Sequence, residues 1–80
     1  GGGSVVAQAM GGRLIDPSSR DKNKRRVLNV VEEMAIASGV PVPPVYIMAG
    51  EKGINAFAAG YAPADAVIGV TKGCVEGHVK

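Results

Sequence analysis

A helical repeat that stops at a glycine followed by prolines is the feature that most constrains this chain of 80 residues. Its apolar side chains recur at spacings of three and four on one face, namely Val27, Val30, Val31, Met34 and Ala35, with Leu28 and Ile36 flanking them. Gly39 can take the left-handed conformation that ends a helix, and Pro41 cannot propagate one. The turn residues at 16–19 precede the repeat. The pattern therefore predicts a long amphipathic helix that begins near Ser19 and ends at Gly39.

The chain after this helix has the composition of strands separated by turns. Residues before prolines are driven out of the helical region, so 40–44 is expected to be extended. Three segments with strand character follow, at Val45 to Ala49, Ile54 to Ala59 and Ala66 to Thr71, and glycine-containing turns separate them. A helix is expected to start near Gly73. The sequence predicts an α+β fold, with one long amphipathic helix on a three-stranded meander and a truncated C-terminal helix start.

Residues 1–15 are glycine-rich, with five glycines among small apolar residues. Glycine is unfavourable in the interior of both helices and strands, so this segment is predicted to be a flexible arm. Residues 16–80 are predicted to form the folded part.

The composition allows one small domain with a thin core, because the chain has no Trp and only 4% aromatic residues. The strand at 66–71 is apolar enough to be buried on both faces, and one helix covers only one of them. Exposed apolar surface is therefore expected around Val67 to Val70, and a second copy of the chain could bury it as a dimer.

Three short motifs carry a resemblance to a known family. They are the Glu-Glu-Met-Ala run at Glu32 to Ala35, the Gly-Val-Pro-Val-Pro segment at Gly39 to Pro43, and the Asn-Ala-Phe-Ala-Ala-Gly run at Asn55 to Gly60. Together they resemble the HtpX-like membrane zinc metallopeptidases, relatives of the CAAX prenyl endopeptidases. The resemblance implies that residues 16–80 are the N-terminal part of a zincin-like catalytic domain, preceding the helix that carries His-Glu-x-x-His.

That resemblance has consequences for activity and location. It implies a full-length zinc metalloendopeptidase that hydrolyses membrane or misfolded proteins and is anchored in the bacterial inner membrane with its catalytic domain on the cytoplasmic side. His-Glu-x-x-His is absent from these residues, so this chain alone is expected to be inactive and to hold no metal. No apolar run approaches the roughly 20 residues that cross a bilayer, so the chain as given is expected to be soluble.

The resemblance also implies a site, because Asn-Ala-Phe is similar to the substrate-binding edge strand of thermolysin-like peptidases. Asn55, Ala56 and Ala58 are the predicted peptide-binding residues, with Ala59 beside them. Small side chains leave room for an extended peptide that pairs with the strand, and the Asn55 amide offers a donor and an acceptor. The alternative is that Asn55 caps a turn and the alanines pack in the core. Phe57 points to the opposite face and is predicted to be a core residue.

Two other groups of residues could carry chemistry. His78 is the single histidine, and a lone histidine in a polar terminal segment is typical of a solvated side chain rather than a metal ligand. Its spacing of four from Cys74 would place a thiol and an imidazole one helical turn apart, but nothing in the sequence orients the pair as a nucleophile and base.

A basic cluster occupies the start of the predicted long helix, and its members are Arg20, Lys22, Lys24, Arg25 and Arg26. Such a cluster can attract anionic lipid or nucleic acid, or can form a solvated helix turn. No aromatic residues are interleaved to stack on bases, so nucleic acid is not the expected partner. The alternatives to the peptidase scaffold are a noncatalytic membrane-proximal protein-interaction module and, less favoured, a small nucleic-acid-binding domain.

Overall fold

A computed structural model describes residues 2–50, 53–60 and 62–77 of the chain. Within these ranges the elements in chain order are α1 (Gly2–Ala9), β1 (Gly12–Leu14), α2 (Lys22–Ser38), β2 (Val45–Met48), β3 (Ala56–Ala59), a 3-10 turn (Pro63–Asp65), β4 (Val67–Thr71) and α3 (Lys72–Glu76). The predicted α+β class is confirmed.

Helix α2 ends where the sequence predicts and starts slightly later. Gly39 adopts a φ of 71°, and its N–H donates to the Ile36 carbonyl at 3.2 Å. At the other end the Asp21 carboxylate, rather than Ser19, caps the helix, because it accepts from the N–H groups of Asn23 and Lys24 at 3.1 and 3.0 Å. The helix therefore begins at Lys22.

The face of α2 that packs against the sheet differs from the predicted one. Leu28 and Ala35 are buried, whereas Val30 and Met34 are 49% and 66% exposed. Positions 28, 31 and 35 also follow the three-and-four spacing, and this register buries the larger leucine rather than Val30. The prediction that Val30 and Met34 belong to the core stripe is wrong.

The strands form a mixed four-stranded sheet with the order β1-β2-β4-β3. Strand β2 pairs with β4 in parallel, and β4 pairs with β3 in antiparallel. The predicted three-stranded meander is therefore wrong, because β4 lies between the two strands that were expected to form a hairpin. A strand that can bury both faces gains most in a central position, and all of β4 except the half-buried Ile68 is buried.

Two apolar clusters cover the two faces of this sheet. Leu28 from α2 and Val75 from α3 pack with Ile15, Val45 and Val70 on one face. The opposite face carries a second cluster beneath α1, formed by Ala7, Tyr46, Met48 and Val67. Val67 and Val70 are only 1% and 4% exposed, so the predicted apolar patch at 67–70 is wrong. Self-association stays a prediction, but the surface that was proposed for it is buried.

The N-terminal segment forms α1 and β1, where a flexible arm was predicted. A Cβ atom on Gly3 would lie 2.5 Å from the Asp65 carbonyl oxygen and 2.8 Å from that of Ala59, so only glycine allows α1 to lie this close to the sheet. The Gly2 N–H also donates to the Asp65 carboxylate at 3.3 Å. Tertiary contact of this kind overrides the poor helix propensity of glycine.

Helix α3 begins at Lys72, one residue before the expected Gly73. Thr71 is its N-cap, and Gly77, with a φ of 68°, ends it. A helix start that is cut short by the end of the chain was expected, but α3 is a short helix that ends at Glu76, within the described residues.

Replacing Gly3 with alanine is expected to destabilise the protein by about 1–3 kcal/mol, because the added methyl group must displace two backbone carbonyl groups. The sign is diagnostic, since alanine would stabilise a free helix by roughly 1 kcal/mol relative to glycine. Urea denaturation measures the change. Gly50→Ala is the matched control, because a Cβ there meets nothing within 4 Å. A gain in stability for Gly3→Ala would show that α1 does not pack as described.

Candidate peptide-binding site

Strand β3 lies at one edge of the described sheet, and only its β4 side is paired. The predicted residues Asn55, Ala56 and Ala58 all lie on this edge segment. Ala56 and Ala58 are exposed, whereas Phe57 and Ala59 are half-buried on the opposite face. The alternative of core-packed alanines therefore does not hold for Ala56 and Ala58.

The main chain of β3 alternates between groups that face β4 and groups that face away from it. Thr71 donates its N–H to the Asn55 carbonyl at 2.9 Å, so Asn55 faces β4. Because successive residues of an antiparallel strand alternate, Phe57 and Ala59 also face β4, and the N–H and C=O groups of Ala56 and Ala58 point away from the sheet. Of these groups, the Ala56 carbonyl and both main-chain groups of Ala58 are the ones with which an additional strand would pair, because the Ala56 N–H donates to the Asn55 side chain.

The Asn55 side chain makes a local contact at this edge. Its Oδ1 accepts a hydrogen bond from the Ala56 N–H at 2.8 Å. The amide was expected to offer both a donor and an acceptor, but the acceptor is committed to the neighbouring main chain. The Nδ2 group is the part of the side chain that a peptide could use.

Phe57 anchors the edge strand to the rest of the sheet. It lies opposite Gly69 in the register, and its ring occupies the space where a Gly69 side chain would be. It packs against the cluster beneath α1, so its predicted core role is confirmed. The exposed positions of β3 are thus held by a side chain on the opposite face.

Sequence reasoning missed one residue that supports this edge strand, Thr71. Its side chain is buried at 4% exposure, and its hydroxyl contacts the main chain of Gly53, Asn55 and Cys74. A threonine directly before a helix is a common N-cap, and that pattern could have identified it.

Comparison with known proteins identifies the family of this chain. The model of peptidase family M48 matches residues 21–79, most of the chain. The chain belongs to peptidase family M48. Its α2, the whole sheet apart from β1, and α3 lie within the matched part.

Several relatives carry the name protease HtpX homolog. The one from Dictyoglomus turgidum is 48% identical over 50 residues, 62% of this chain and 16% of that protein. The one from Caldanaerobacter subterraneus subsp. tengcongensis is 51% identical over 57 residues, 70% of this chain and 19% of that protein. The one from Tropheryma whipplei is 38% identical over 74 residues, 92% of this chain and 24% of that protein. The chain thus spans a quarter or less of these M48 relatives, and it is HtpX-like.

Family M48 is a zinc metallopeptidase family, but the described residues do not fit a zinc ion. They contain no group of three or more His, Cys, Asp or Glu side chains close enough to surround a metal. His78, and with it the possible Cys74–His78 pair, lies outside the described residues.

The basic cluster at the start of α2 is partly committed to local contacts. The Arg25 guanidinium donates to the Pro17 carbonyl at 2.9 Å and lies 3.4 Å from the Glu32 carboxylate. Arg26 donates to the Asn23 side chain at 3.2 Å. Lipid and nucleic-acid binding by this cluster stay untested. Among the described residues no helix has the length and apolar content needed to cross a bilayer.

Replacing Gly69 with alanine is expected to cost about 1–3 kcal/mol of stability, because the new methyl group collides with the Phe57 ring. In a Phe57→Leu background the same change should cost less than half as much, since the ring is gone. Chemical denaturation of the four proteins in this double-mutant cycle gives the coupling energy. Strict additivity would mean that the ring does not lie over Gly69.

Proposed function

We propose that this chain is the substrate-side scaffold of a zinc-dependent metalloendopeptidase that hydrolyses peptide bonds of proteins, with membrane or misfolded proteins as its substrates. The observation that carries the proposal is the open edge of β3, where the main-chain groups of Ala56 and Ala58 point away from the sheet. Membership of an HtpX-like metallopeptidase family supplies the reaction class.

An extended peptide would add to this edge as a further antiparallel or parallel strand. Its main chain would donate to the Ala56 carbonyl and exchange hydrogen bonds with the N–H and C=O groups of Ala58, since the Ala56 N–H is bound by the Asn55 side chain. Main-chain pairing orients the scissile bond without selecting for particular side chains. Methyl groups at these two positions allow close approach, and their exposure leaves the edge accessible. Holding a peptide in one extended conformation contributes to catalysis because it reduces the entropy lost on reaching the reactive geometry.

In this proposal, as the family resemblance implies, zinc is bound by residues outside this chain. The described residues contain no ligand set. When bound, the metal supplies an activated water and polarises the scissile carbonyl. The role of this chain is limited to binding and orienting the peptide. We also propose that the full-length protein is anchored in the bacterial inner membrane, through segments outside this chain, with this domain on the cytoplasmic side.

Ala58→Pro tests the edge directly, because proline removes the outward N–H while the bonds to β4 are made by Phe57 and Ala59. Proline is tolerated on edge strands at positions of this kind. In the full-length protein, kcat/KM for an unstructured substrate such as casein should fall by about tenfold or more. This is the effect of losing one hydrogen bond between neutral groups and leaving the peptide carbonyl without its donor.

The matched control for that experiment is Ala58→Ser, which keeps the N–H and should retain wild-type kinetics. Thermal melts of both variants report whether the fold is intact. Unchanged kinetics for a folded Ala58→Pro protein would rule out peptide pairing at β3. Peptide binding at β3 without any cleavage by the wild-type full-length protein would favour the noncatalytic interaction module instead.

Asn55 is tested by two substitutions that separate its contacts. Asn55→Asp keeps an oxygen for the Ala56 N–H and removes the Nδ2 donor, whereas Asn55→Ala removes both. If the Nδ2 group binds peptide, both variants should raise KM by about three- to tenfold, the range of one net hydrogen bond. Steady-state kinetics of the full-length protein provide the measurement. Wild-type KM in both variants would remove Asn55 from the site.

A further inference from the structure

The Thr71 hydroxyl uses its whole hydrogen-bonding capacity on three main-chain groups. It donates to the Gly53 carbonyl at 2.8 Å and accepts from the N–H groups of Asn55 and Cys74 at 3.0 and 3.2 Å. A hydroxyl has one proton and two lone pairs, so no capacity is left over. One buried side chain therefore joins the loop before β3, the entry to β3 and the first turn of α3.

The bond from the Asn55 N–H to the Thr71 hydroxyl takes the place of a main-chain hydrogen bond between β3 and β4. Asn55 and Thr71 face each other, and Thr71 donates its N–H to the Asn55 carbonyl. In a regular antiparallel pair the Asn55 N–H would donate in return to the Thr71 carbonyl. Thr71 is also the N-cap of α3, where the carbonyl group of the cap residue accepts the first bond of the helix. The side-chain oxygen takes the place of that carbonyl.

The bond from the Asn55 N–H to the Thr71 hydroxyl extends the pairing of β3 with β4 by one position. The last residue pair of the regular ladder is Ala56 opposite Val70. The extra position lies directly before Ala56, the first residue whose main chain faces outward. The Asn55 carboxamide in turn binds the Ala56 N–H. The hydroxyl thus fixes the main chain at the point where the open edge begins.

We propose that Thr71 is a positioning residue for peptide binding, and that its hydroxyl sets the geometry of the β3 edge and couples it to α3. This inference rests on the proposed function of that edge. Thr71 does not touch the peptide and acts through Asn55 and Ala56. Without the hydroxyl, the Asn55 N–H and the Gly53 carbonyl lose their partner, and the start of the edge is no longer held in register with an incoming strand.

The test compares Thr71→Val, which keeps the side-chain shape and removes the hydroxyl, with Thr71→Ser, which keeps the hydroxyl. In the full-length protein, Thr71→Val should raise KM for casein-derived peptides by about five- to tenfold. A rise of this size corresponds to the loss of one net hydrogen bond between the peptide and the displaced β3 edge. Its kcat should stay close to wild type, and Thr71→Ser should restore KM. If Thr71→Val does not fold, Thr71→Cys takes its place. Because a thiol makes weaker hydrogen bonds than a hydroxyl, Thr71→Cys should raise KM above the wild-type value but by less than about fivefold, and a wild-type KM would overturn the proposal.

Val75→Ala controls for stability alone, because Val75 lies within α3 and is as buried as Thr71 but has no hydroxyl to bind the main chain of β3. Its melting temperature should fall without a change in KM. A KM rise in Val75→Ala equal to that in Thr71→Val, or no rise in Thr71→Val, would overturn the positioning role. If Ala58→Pro also leaves KM unchanged, the edge itself is not the site. If Ala58→Pro raises KM and Thr71→Val does not, only the role of Thr71 fails.

Discussion

The fold depends on covering both faces of β4. Val67 and Val70 point to opposite faces and are both almost fully buried, so the strand must lie inside the sheet and beneath helices on both sides. On one face α2 and α3 supply the cover. On the other, α1 supplies it, and it can do so because Gly3 lets its backbone lie against the backbone of Asp65 and Ala59. The glycine-rich start of the chain is thus part of the core.

The same constraint leaves β3 at the edge. Once β4 pairs with β2 on one side, its other side takes β3, whose outer main-chain groups face no described strand. Phe57 fills the space over Gly69 and fixes β3 from the face under α1. The exposed face of β3 therefore carries only the methyl groups of Ala56 and Ala58. A strand that is firmly anchored on one side and open along its edge is suited to hold an extended peptide.

The sequence was informative where local rules dominate and misleading where long-range packing decides. The end of α2 at Gly39 followed from backbone conformation, and the apolar strands followed from composition. The pairing of β4 with β2 could not be read locally, since it depends on which strand gains most from burial. Helix α1 was missed because propensity argues against it. The edge residues Asn55, Ala56 and Ala58 came from family resemblance, and the hydroxyl contacts of Thr71 became visible only with the strands in register.

The central claim is that an extended peptide pairs with the outward main chain of β3. Residue-resolved amide hydrogen exchange of the full-length protein, with and without a bound peptide and with a chelator to stop cleavage, tests it most directly. The account predicts that the Ala58 N–H becomes at least about tenfold more protected when peptide binds, while those of Phe57 and Ala59, already directed at β4, change little. Protection that appears elsewhere and leaves Ala58 unchanged would contradict it.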